Sequence, residues 1–395
     1  MKIILANDTF PPDVNGSAYF THRLATRLKS RGHEILVIAQ STKIISEFSL
    51  RDGVRVFGVR SFPILVQKGF RVSSPILIKK IIKKAVSDFQ PDIIHIQGHF
   101  FVGKAIGKIA QELDIALIGT NHFMPENLIH YFPLPEAAKI KIKRWGWKKF
   151  REVFEKLEVV TAPTKTAVDL IARHGFSKSV IPISNGIDLE KFNPKNEGDY
   201  LKERYGLPKN KPILLYLGRL DKEKKIDLII QAFAKAIKKI DAHLVIAGKG
   251  AERKNLHNLV KSSGLEHKIT FTGFVPDEDL ANIYRTADCF VIACDVELQS
   301  IVTMEAMASG LPIIAVNEMA LPELVHHGEN GYLFKNGDVD DLAGCIVEMF
   351  SDEEKRKRMA EKSLEIIKEH DLEKTVYQFE DIYMSLVGKK KISRE

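Results

Sequence analysis

The chain has 395 residues, of which 45% are apolar and 28% charged, and it carries a net charge of +8 and three cysteines. This composition excludes a disordered or fibrous protein, and the length exceeds what one compact core usually supports, so two domains are expected. Because no C-x-x-C spacing occurs, we expect buried free thiols in a reducing cytoplasm.

Positive charge is concentrated in the first half of the chain. Residues 1–190 hold 28 Lys and Arg against 17 Asp and Glu, whereas residues 191–395 hold 31 against 34. This excess predicts an anionic partner, either a membrane surface or a nucleic acid, unless it is an ordinary solvated face. No segment has the roughly 20 apolar residues of a spanning helix, and the apolar start is too short for a signal peptide, so we expect no integral membrane protein.

The apolar runs predict an α/β protein. Strand-like runs "KIILAND", "EILVIAQ", "DIIHIQ" and "IALIGTN" alternate with helical patterns such as Tyr19–Ser30. The sequence becomes polar near Leu189, and the alternation of strands and helices then starts again at "PILLYLGRL". This pattern is typical of two Rossmann-like halves with parallel sheets. We predict three segments, namely a first domain at 1–190, a second at 191–372 and a closing helix with a basic tail at 373–395.

Residues that directly follow the strands are the candidates for ligand binding, because ligands of open α/β sheets lie off the carboxyl ends of the strands. Arg219 and Lys224 follow the run "LLYLG". A fork-shaped guanidinium and a compact ammonium near one strand end suit a pyrophosphate, although most such cations merely face water.

The stretch "DVELQSIVTMEAMASGLPIIAV" comes at the end of another candidate strand, "CFVIAC". Glu297 falls in a loop, and a helix is predicted with Ser300 as its cap and Gly310 at its end. The free N–H groups of such a helix form an anion site. Glu297 is then suited to sugar hydroxyls and Glu305 to a ribose; the alternative is two exposed acids on a helix.

These residues also carry a resemblance. The series "ELQSIVTMEAMASGLP" resembles the E-x7-E signature of the retaining glycosyltransferases of family 4. Further segments are similar to the family's motifs over nearly the whole chain: "NDTFPPDVNGSAYF", "QPDIIHIQ", "SNGIDLEKF", "YLGRLDKEKKID" and "GFVPDEDLANIYRTADCFV". The resemblance implies the GT-B fold, with two facing Rossmann-like domains, a cleft between them and a C-terminal helix that returns to the first domain.

The resemblance also implies roles for individual residues. Arg219 and Lys224 would bind the donor diphosphate, Glu297 the transferred sugar and Glu305 the ribose. In the first domain, His122 would lie near the sugar, and Gly16 would permit close approach of the backbone to a ligand. Other residues would bind the donor through the backbone, either at the base or at the phosphates: Gly273, Phe274, Val275, Leu298, Gln299, Ser300 and Ile301.

The sequence departs from the family's pattern at several positions. Ser300 and Lys225 stand where members usually or often have glycine, and Asn15 replaces the first glycine of the first loop. Gln97 stands where many members have a second histidine. We interpret these differences as changes in specificity, because Arg219 and Lys224 and both glutamates are present.

The expected reaction uses neither a metal ion nor another cofactor. No set of His, Cys, Asp and Glu has ligand spacing, and "DVDD" at 338–341 is typical of a helix start. The family offers no carboxylate beneath the anomeric carbon for a double displacement, so we expect front-face attack, in which the departing phosphate oxygen takes the acceptor's proton. UDP-glucose is the default donor.

A membrane lipid such as diacylglycerol is the predicted acceptor, bound by the first domain at the inner face of the cell membrane. Residues 76–88 pair lysines with Ile and Val, and residues 137–156 combine eight Lys and Arg with Trp145, Trp147 and Phe150. "NHFMPENL" also resembles a segment of lipid-modifying family members. The alternatives are an ordinary amphipathic helix, a soluble or polysaccharide acceptor, a sugar-nucleotide epimerase or phosphorylase, and a nucleic-acid binder, which lacks a recognition motif.

Overall fold

The computed structural model describes residues 1–13, 15–63, 71–125 and 135–392. The chain folds into two compact units, and each has its own parallel sheet. The first unit comprises Met1–Gly186 and Glu373–Glu395, and the second comprises Ile187–Leu372. The last part of the "NHFMPENL" segment lies outside the described residues.

The first unit is built on an eight-stranded sheet with the order β10-β9-β8-β7-β1-β2-β4-β3. Only β3 runs antiparallel to its neighbour, and a separate antiparallel pair is formed by β5 and β6. The strands are β1 Lys2–Ala6, β2 Glu34–Gln40, β3 Glu47–Arg51, β4 Val54–Val59, β5 Phe62–Pro63, β6 Arg71–Val72, β7 Ile93–Ile96, β8 Ala116–Thr120, β9 Val159–Ala162 and β10 Val180–Pro182.

Helices of the first unit carry apolar residues at helical spacing toward the core, as the sequence predicts. In the first of them, Ala18, Leu24 and Leu28 are fully buried, and the Asn15 side chain caps the helix by accepting from Ala18 N at 2.9 Å. This helix begins three residues before the predicted start. The helices are α1 Gly16–Ser30, α2 Pro75–Phe89, α3 Phe101–Glu112, α4 Glu136–Phe154 and α5 Lys165–Arg173.

The second unit has a six-stranded parallel sheet with the order β13-β12-β11-β14-β15-β16. Counted within the unit, this is the 3-2-1-4-5-6 order of a Rossmann sheet. Its strands are almost entirely buried, since helices cover both faces. They are β11 Ile213–Leu217, β12 His243–Ala247, β13 Ile269–Gly273, β14 Cys289–Ile292, β15 Ile313–Val316 and β16 Gly331–Phe334.

Seven α-helices accompany this sheet: α6 Asp199–Arg204, α7 Ile226–Ala236, α8 Arg253–Ser262, α9 Leu280–Ile283, α10 Ile301–Ala308, α11 Val339–Ser351 and α12 Glu353–Ile367. Single 3-10 turns occupy Lys222–Lys224, Tyr284–Thr286, Leu321–Glu323 and Lys368–His370. Asp338 accepts from the backbone N of Asp340 and Asp341, both at 3.0 Å, so the helix start predicted at "DVDD" is confirmed.

The last helix, α13 (Leu372–Ile392), packs against the first unit. The Tyr383 hydroxyl lies 2.6 Å from His95 Nδ1 on β7, and Glu380 pairs with Arg31 Nε at 2.8 Å and with His33 Nε2 at 2.7 Å. The expected return of the C-terminal helix to the first domain is confirmed, and the helix extends through most of the predicted basic tail.

Two predictions about the whole chain can be compared with the structure. All three cysteines are free and buried, as expected. Within the described ranges, none of the helices combines the length and the apolar character that crossing a bilayer requires.

Candidate active site

The strand order of the second sheet reverses between β11 and β14, which lie side by side. Connections from these two strands diverge to opposite sides, and the crevice that this leaves at their carboxyl ends is where open α/β sheets bind ligands. Arg219 and Lys224 follow β11, and Glu297 follows β14. The fold therefore brings together residues that are more than 70 positions apart in sequence.

Lys224 and Glu297 form the central pair of this site. Lys224 Nζ lies 2.7 Å from Glu297 Oε1 and 3.6 Å from the buried thiol of Cys294. Only 20% of the lysine side chain and 16% of the glutamate side chain are exposed. Burial alone lowers the pKa of Lys224, but the nearby Glu297 carboxylate, with smaller contributions from Cys294 and Tyr216, more than offsets this and holds the pKa above its usual value. The ammonium is therefore charged at any working pH.

Arg219 is held in place by two carboxylates of its own loop. Its guanidinium pairs with Asp221 and donates to Glu223 Oε1 at 2.8 Å, and both acids are largely buried. The Arg219 carbonyl accepts a hydrogen bond from the Tyr216 hydroxyl at 2.8 Å. The arginine side chain itself remains 39% exposed, so it is oriented yet still accessible to an anion.

Lys225 explains why glycine is common at this position of the family. Its φ of +50° lies in the left-handed region, where glycine has no steric cost and other residues do. Here Lys225 Nζ contacts Asp295 Oδ2 at 2.5 Å and Asn336 Oδ1 at 2.8 Å. Burial raises the pKa of Asp295, but the hydrogen bonds from Lys225 and Asn336 and the charge of Lys225 together outweigh it, so the net change is downward. The lysine links the loop after β11 to the loop after β14.

Helix α10 begins where the sequence predicts. Ser300 is the N-cap, and its hydroxyl accepts from Thr303 N at 3.4 Å and from the Thr303 hydroxyl at 2.8 Å. Leu298 and Gln299 are buried just before the cap, and Ile301 is the first helical residue. The predicted cap is confirmed, and the serine oxygen that replaces the family's glycine is bonded to the first turn of the helix.

Glu305 lies inside α10 and is almost fully buried, with 3% of its surface exposed. Its Oε2 accepts a hydrogen bond from the Tyr284 hydroxyl at 2.7 Å, which fixes the direction of the carboxylate. About one helical turn separates Glu305 from the start of α10, which follows the Glu297 loop, so the two acids occupy different depths. Its assignment to a ribose stays a prediction.

The loop after β13 is the predicted contact for the base. Gly273 has a φ of +75°, Phe274 is 46% exposed and Val275 is buried. The ammonium of Lys249 lies 5.4 Å from the centre of the Phe274 ring. An exposed aromatic ring beside a turn of backbone is compatible with stacking and hydrogen bonding to a heterocycle.

Two glycines that shape the candidate site were missed by the sequence reasoning: Gly248 and Gly250, which follow β12 in "AGKG". A Cβ on Gly248 would lie 1.9 Å from the Gly218 carbonyl oxygen, and one on Gly250 would lie 2.3 Å from that of Leu220. Gly248 N also donates to Gly273 O at 2.7 Å. These glycines let the loops after β11, β12 and β13 pack directly against each other. The glycine pair directly after a strand was the available signal.

In the first unit, His122 follows β8 and contacts Gln97, which follows β7. His122 Nε2 lies 2.8 Å from Gln97 Oε1, and the His122 ring packs on Phe20 of α1 at 4.7 Å between centroids. Burial lowers the pKa of His122 to about 3, so the imidazole is neutral. Gly16 is the first residue of α1. The functional roles of His122 and Gly16 stay predictions.

The structure corrects part of the membrane prediction for residues 137–156. Trp147 and Phe150 are buried, because they lie on the side of α4 that packs against the first unit, so they are not lipid-facing residues. Trp145 is 60% exposed on the opposite side, and Ile140, near the start of α4, is 51% exposed. Among the aromatic residues proposed for the interface, Trp145 alone keeps that role.

The basic residues of α2 and α4 also differ in their partners. In α2, Lys79 and Lys83 both pair with Glu112, and Lys84 pairs with Asp88. The outward side of α4 carries three cations that form no ion pair with any described residue. These are Lys141, Arg144 and Lys148. The segment at 76–88 is therefore the weaker of the two candidates for an anionic surface.

No three His, Cys, Asp or Glu side chains cluster as metal ligands in the part of the chain that the structure describes. The metal-independent reaction stays a prediction, which rests on the cations at the strand ends of the second unit.

Two family descriptions match the chain and together cover most of it. "Glycosyltransferase Family 4" matches residues 14–191, and "Glycosyl transferases group 1" matches residues 199–365. The alpha-monoglucosyldiacylglycerol synthase of Streptococcus pneumoniae is 30% identical over 88% of this chain and 78% of its own length.

Solved structures show the same fold. Sucrose-phosphate synthase from Thermosynechococcus elongatus has a TM-score of 0.80 at 20% identity, covering 98% of this chain and 99% of its own. Anabaena HepE in complex with UDP-glucose has a TM-score of 0.76 at 18% identity, covering 98% and 100%. The two Rossmann-like units thus define a glycosyltransferase with the GT-B fold. The chain belongs to glycosyltransferase family 4.

Proposed function

We propose that this enzyme transfers a hexose from a nucleotide diphosphate sugar, with UDP-glucose as the default donor, to a hydroxyl of a membrane lipid such as diacylglycerol. The transfer retains the configuration of the sugar and needs no metal ion. The observation that carries the proposal is the Lys224–Glu297 pair, with its 2.7 Å contact where the strand order of the second sheet reverses.

The charges of the second unit support a diphosphate donor. Lys224 and Arg219 are two cations at one strand end, and the N-terminus of α10 adds backbone N–H groups that follow the loop of Glu297. Glu297 would accept hydrogen bonds from hydroxyls of the sugar. HepE, a structural neighbour, was solved with UDP-glucose, which supports the default donor.

The proposed mechanism is front-face attack. The acceptor oxygen forms a bond to the anomeric carbon on the side from which the diphosphate departs, and the departing phosphate oxygen takes the hydroxyl proton. Lys224, Arg219 and the first turn of α10 stabilise the charge that develops on the diphosphate. These groups are fixed before the reaction by Glu297, Glu223 and the Ser300 cap, so little reorganisation is required.

A lipid acceptor is supported by the outward face of α4 and by the name of one relative. Trp145 and Ile140 are exposed beside Lys141, Arg144 and Lys148, a combination of apolar and cationic side chains that suits an anionic bilayer surface. The Streptococcus pneumoniae relative is named for a glucosyldiacylglycerol product. We accordingly propose a peripheral enzyme at the cytoplasmic face of the membrane.

The test of the reaction uses purified protein, a panel of nucleotide sugars and vesicles that contain diacylglycerol. We expect the preferred donor to raise the midpoint of thermal unfolding and to yield a glycolipid whose α-linkage is read by NMR. EDTA should leave the rate unchanged. Transfer to soluble sugars alone would refute the lipid acceptor, and a donor panel without effect on stability or turnover would refute the nucleotide-sugar reaction.

The membrane contact is tested by sedimentation with anionic and neutral vesicles. The triple variant Lys141→Glu, Arg144→Glu, Lys148→Glu should lose binding to anionic vesicles. A matched control makes the same charge change on exposed residues of α8 in the second unit: Arg253→Glu, Lys254→Glu and Lys261→Glu. Equal loss in both variants, or binding that ignores lipid charge and salt, would contradict a specific role of α4. A gel shift with duplex DNA tests the nucleic-acid alternative.

A further inference from the structure

Gln97 occupies the position in the first unit that corresponds to the ligand edge of its sheet. It directly follows β7, which lies beside β1, and the strand order reverses between these two strands. Its backbone N donates to Ala6 O at the end of β1 at 2.7 Å. The side chain is 2% exposed. Gln97 is thus fixed at the topological switch point of the first sheet.

The amide oxygen of Gln97 determines the state of His122. Gln97 Oε1 is an acceptor only, so the hydrogen bond of 2.8 Å requires that His122 Nε2 carries the proton. Because the pKa of His122 is lowered to about 3 by burial, the ring is neutral and has a single N–H. The other ring nitrogen, Nδ1, is therefore a hydrogen-bond acceptor.

The amide nitrogen of Gln97 is buried, and it has no hydrogen-bond partner among the described residues. Buried polar groups in native proteins nearly always have a partner, and an amide donor without one is costly. A buried donor beside an imidazole acceptor, both at the ligand edge of a sheet, indicates that a ligand supplies the missing oxygen.

We propose that Gln97 is a positioning and recognition residue of the transfer reaction. Its oxygen holds His122 in the tautomer with the proton on Nε2, so that Nδ1 accepts a hydrogen bond from a substrate hydroxyl. Its NH2 group donates to the oxygen of a neighbouring hydroxyl. This inference rests on the proposed function, and it adds the chemical class that the first unit recognises, namely a neutral hydroxyl group of a sugar or glycerol.

The arrangement discriminates between classes of ligand. A hydroxyl both donates and accepts, so two neighbouring hydroxyls satisfy the His122 acceptor and the Gln97 donor, one at each group. A carboxylate or phosphate oxygen can only accept, and it would face the lone pair of Nδ1 without a proton between them. We therefore expect the first unit to select uncharged polyols.

Two substitutions separate the two roles of Gln97. Gln97→Met keeps a similar volume but removes both the acceptor and the donor. Gln97→Glu keeps the acceptor for His122 Nε2–H and removes the donor. Gln378→Met, on the exposed side of α13, is the matched control. Thermal unfolding of each variant shows whether it folds.

The tautomer is read by NMR of protein labelled with ¹⁵N-histidine, with His122→Ala to assign the signal. We expect the Nε2–H tautomer in the wild type and in Gln97→Glu, and a mixture of tautomers in Gln97→Met. In kinetics, Gln97→Met should raise KM for one substrate about tenfold or more, with a smaller change in kcat, as the loss of one or two hydrogen bonds predicts. Gln97→Glu should share the KM defect and add a pH dependence below neutrality.

A wild-type Nδ1–H tautomer, or wild-type kinetics in Gln97→Met, would overturn the proposal. So would a KM defect of equal size in Gln378→Met. The tautomer is measured without substrate, so it tests the Gln97–His122 contact even if no nucleotide sugar is turned over. Absence of turnover in the wild type would instead refute the proposed function.

Discussion

The two units place their candidate residues at equivalent points of a parallel sheet, but they surround them with opposite electrostatics. In the second unit, Lys224 and Arg219 are charged and paired with carboxylates. In the first, His122 is partly buried, Gln97 is buried, and both are uncharged. The net charges of the two halves of the sequence show the opposite trend, because the excess of basic residues is in the first half. The local pairing of a site, and not the net charge around it, indicates which ligand it suits.

The largest effect is expected from a substitution in the charged site of the second unit. Lys224→Ala should lower kcat by about 10³-fold, because it removes a cation from the departing diphosphate and leaves the Glu297 carboxylate without its partner. Steady-state transfer assays measure it, with Lys222→Ala, an exposed cation of the same turn, as the control. A folded Lys224→Ala enzyme with near-normal turnover would contradict the role of the pair.

The next largest effect is expected on stability, from the buried His99 of the first unit. His99 is 3% exposed among the rings of Phe100, Phe123, Phe150 and Phe154, and burial lowers its pKa to about 4. The unfolded chain binds this proton near pH 6.5, and the folded chain only near pH 4. The stabilisation is thus complete above pH 6.5 and is lost as the pH falls toward 4, by about 3 kcal/mol.

His99→Leu should therefore flatten the loss of stability between pH 6.5 and pH 4 by about that amount. Urea unfolding of the first unit at several pH values measures it, and His267→Leu, on the surface of the second unit, is the control. If the free energy of unfolding had the same pH dependence in the wild type and in His99→Leu, the burial of a neutral His99 would not be the cause of that dependence.

A smaller effect is expected from a substitution that removes a hydrogen bond to the buried Glu305 of the second unit. Tyr284→Phe removes the hydrogen bond of 2.7 Å to the buried Glu305 carboxylate, and a bond to a charged group contributes about 2 kcal/mol. We expect lower stability and a raised KM for the nucleotide sugar. Tyr200→Phe removes a similar hydrogen bond to Asp279, of 2.6 Å, but Tyr200 is far more exposed than Tyr284. It should leave KM unchanged, and a shared KM defect would argue against Glu305 as a donor-binding residue.

The smallest effect is expected at the cap of α10. Ser300→Gly should cost only a few tenths of a kcal/mol, because glycine is an acceptable N-cap, whereas Ser300→Ala should cost about 1 kcal/mol. Transfer by Ser300→Gly should stay within about twofold of the wild type, since glycine is the family's usual residue here. Chemical unfolding and initial rates measure both variants. A large gain in rate would show that the serine side chain crowds the phosphates.

Local chemistry explains which features the sequence predicts. Strands and helices follow from apolar periodicity, and the Ser300 cap follows from a hydroxyl placed before a helical pattern. The helix period also predicts that Trp145 and Trp147 cannot both face the membrane, although the sequence analysis grouped them. Trp145 and Trp147 are two positions apart on α4, which turns them about 200° from each other, so one is exposed and the other is buried.

Contacts between distant segments required the strand order, which periodicity does not reveal. The Lys224–Glu297 contact depends on β11 lying beside β14, and the Gln97–His122 contact depends on β7 lying beside β8. The close approach at Gly248 likewise depends on the neighbouring loop after β11. Sequence motifs proposed the residues of the second unit's candidate site as a group, but only the sheet topology shows which of them touch.

The position of α13 has a consequence for protein synthesis. The second unit is continuous, from Ile187 to Leu372, whereas the first needs residues from Glu373 onward, which emerge from the ribosome after the whole second unit. Domains generally fold as units during translation. We expect the later half of the polypeptide to mature before the earlier half, whose Tyr383–His95 contact forms only after the second unit has been synthesised.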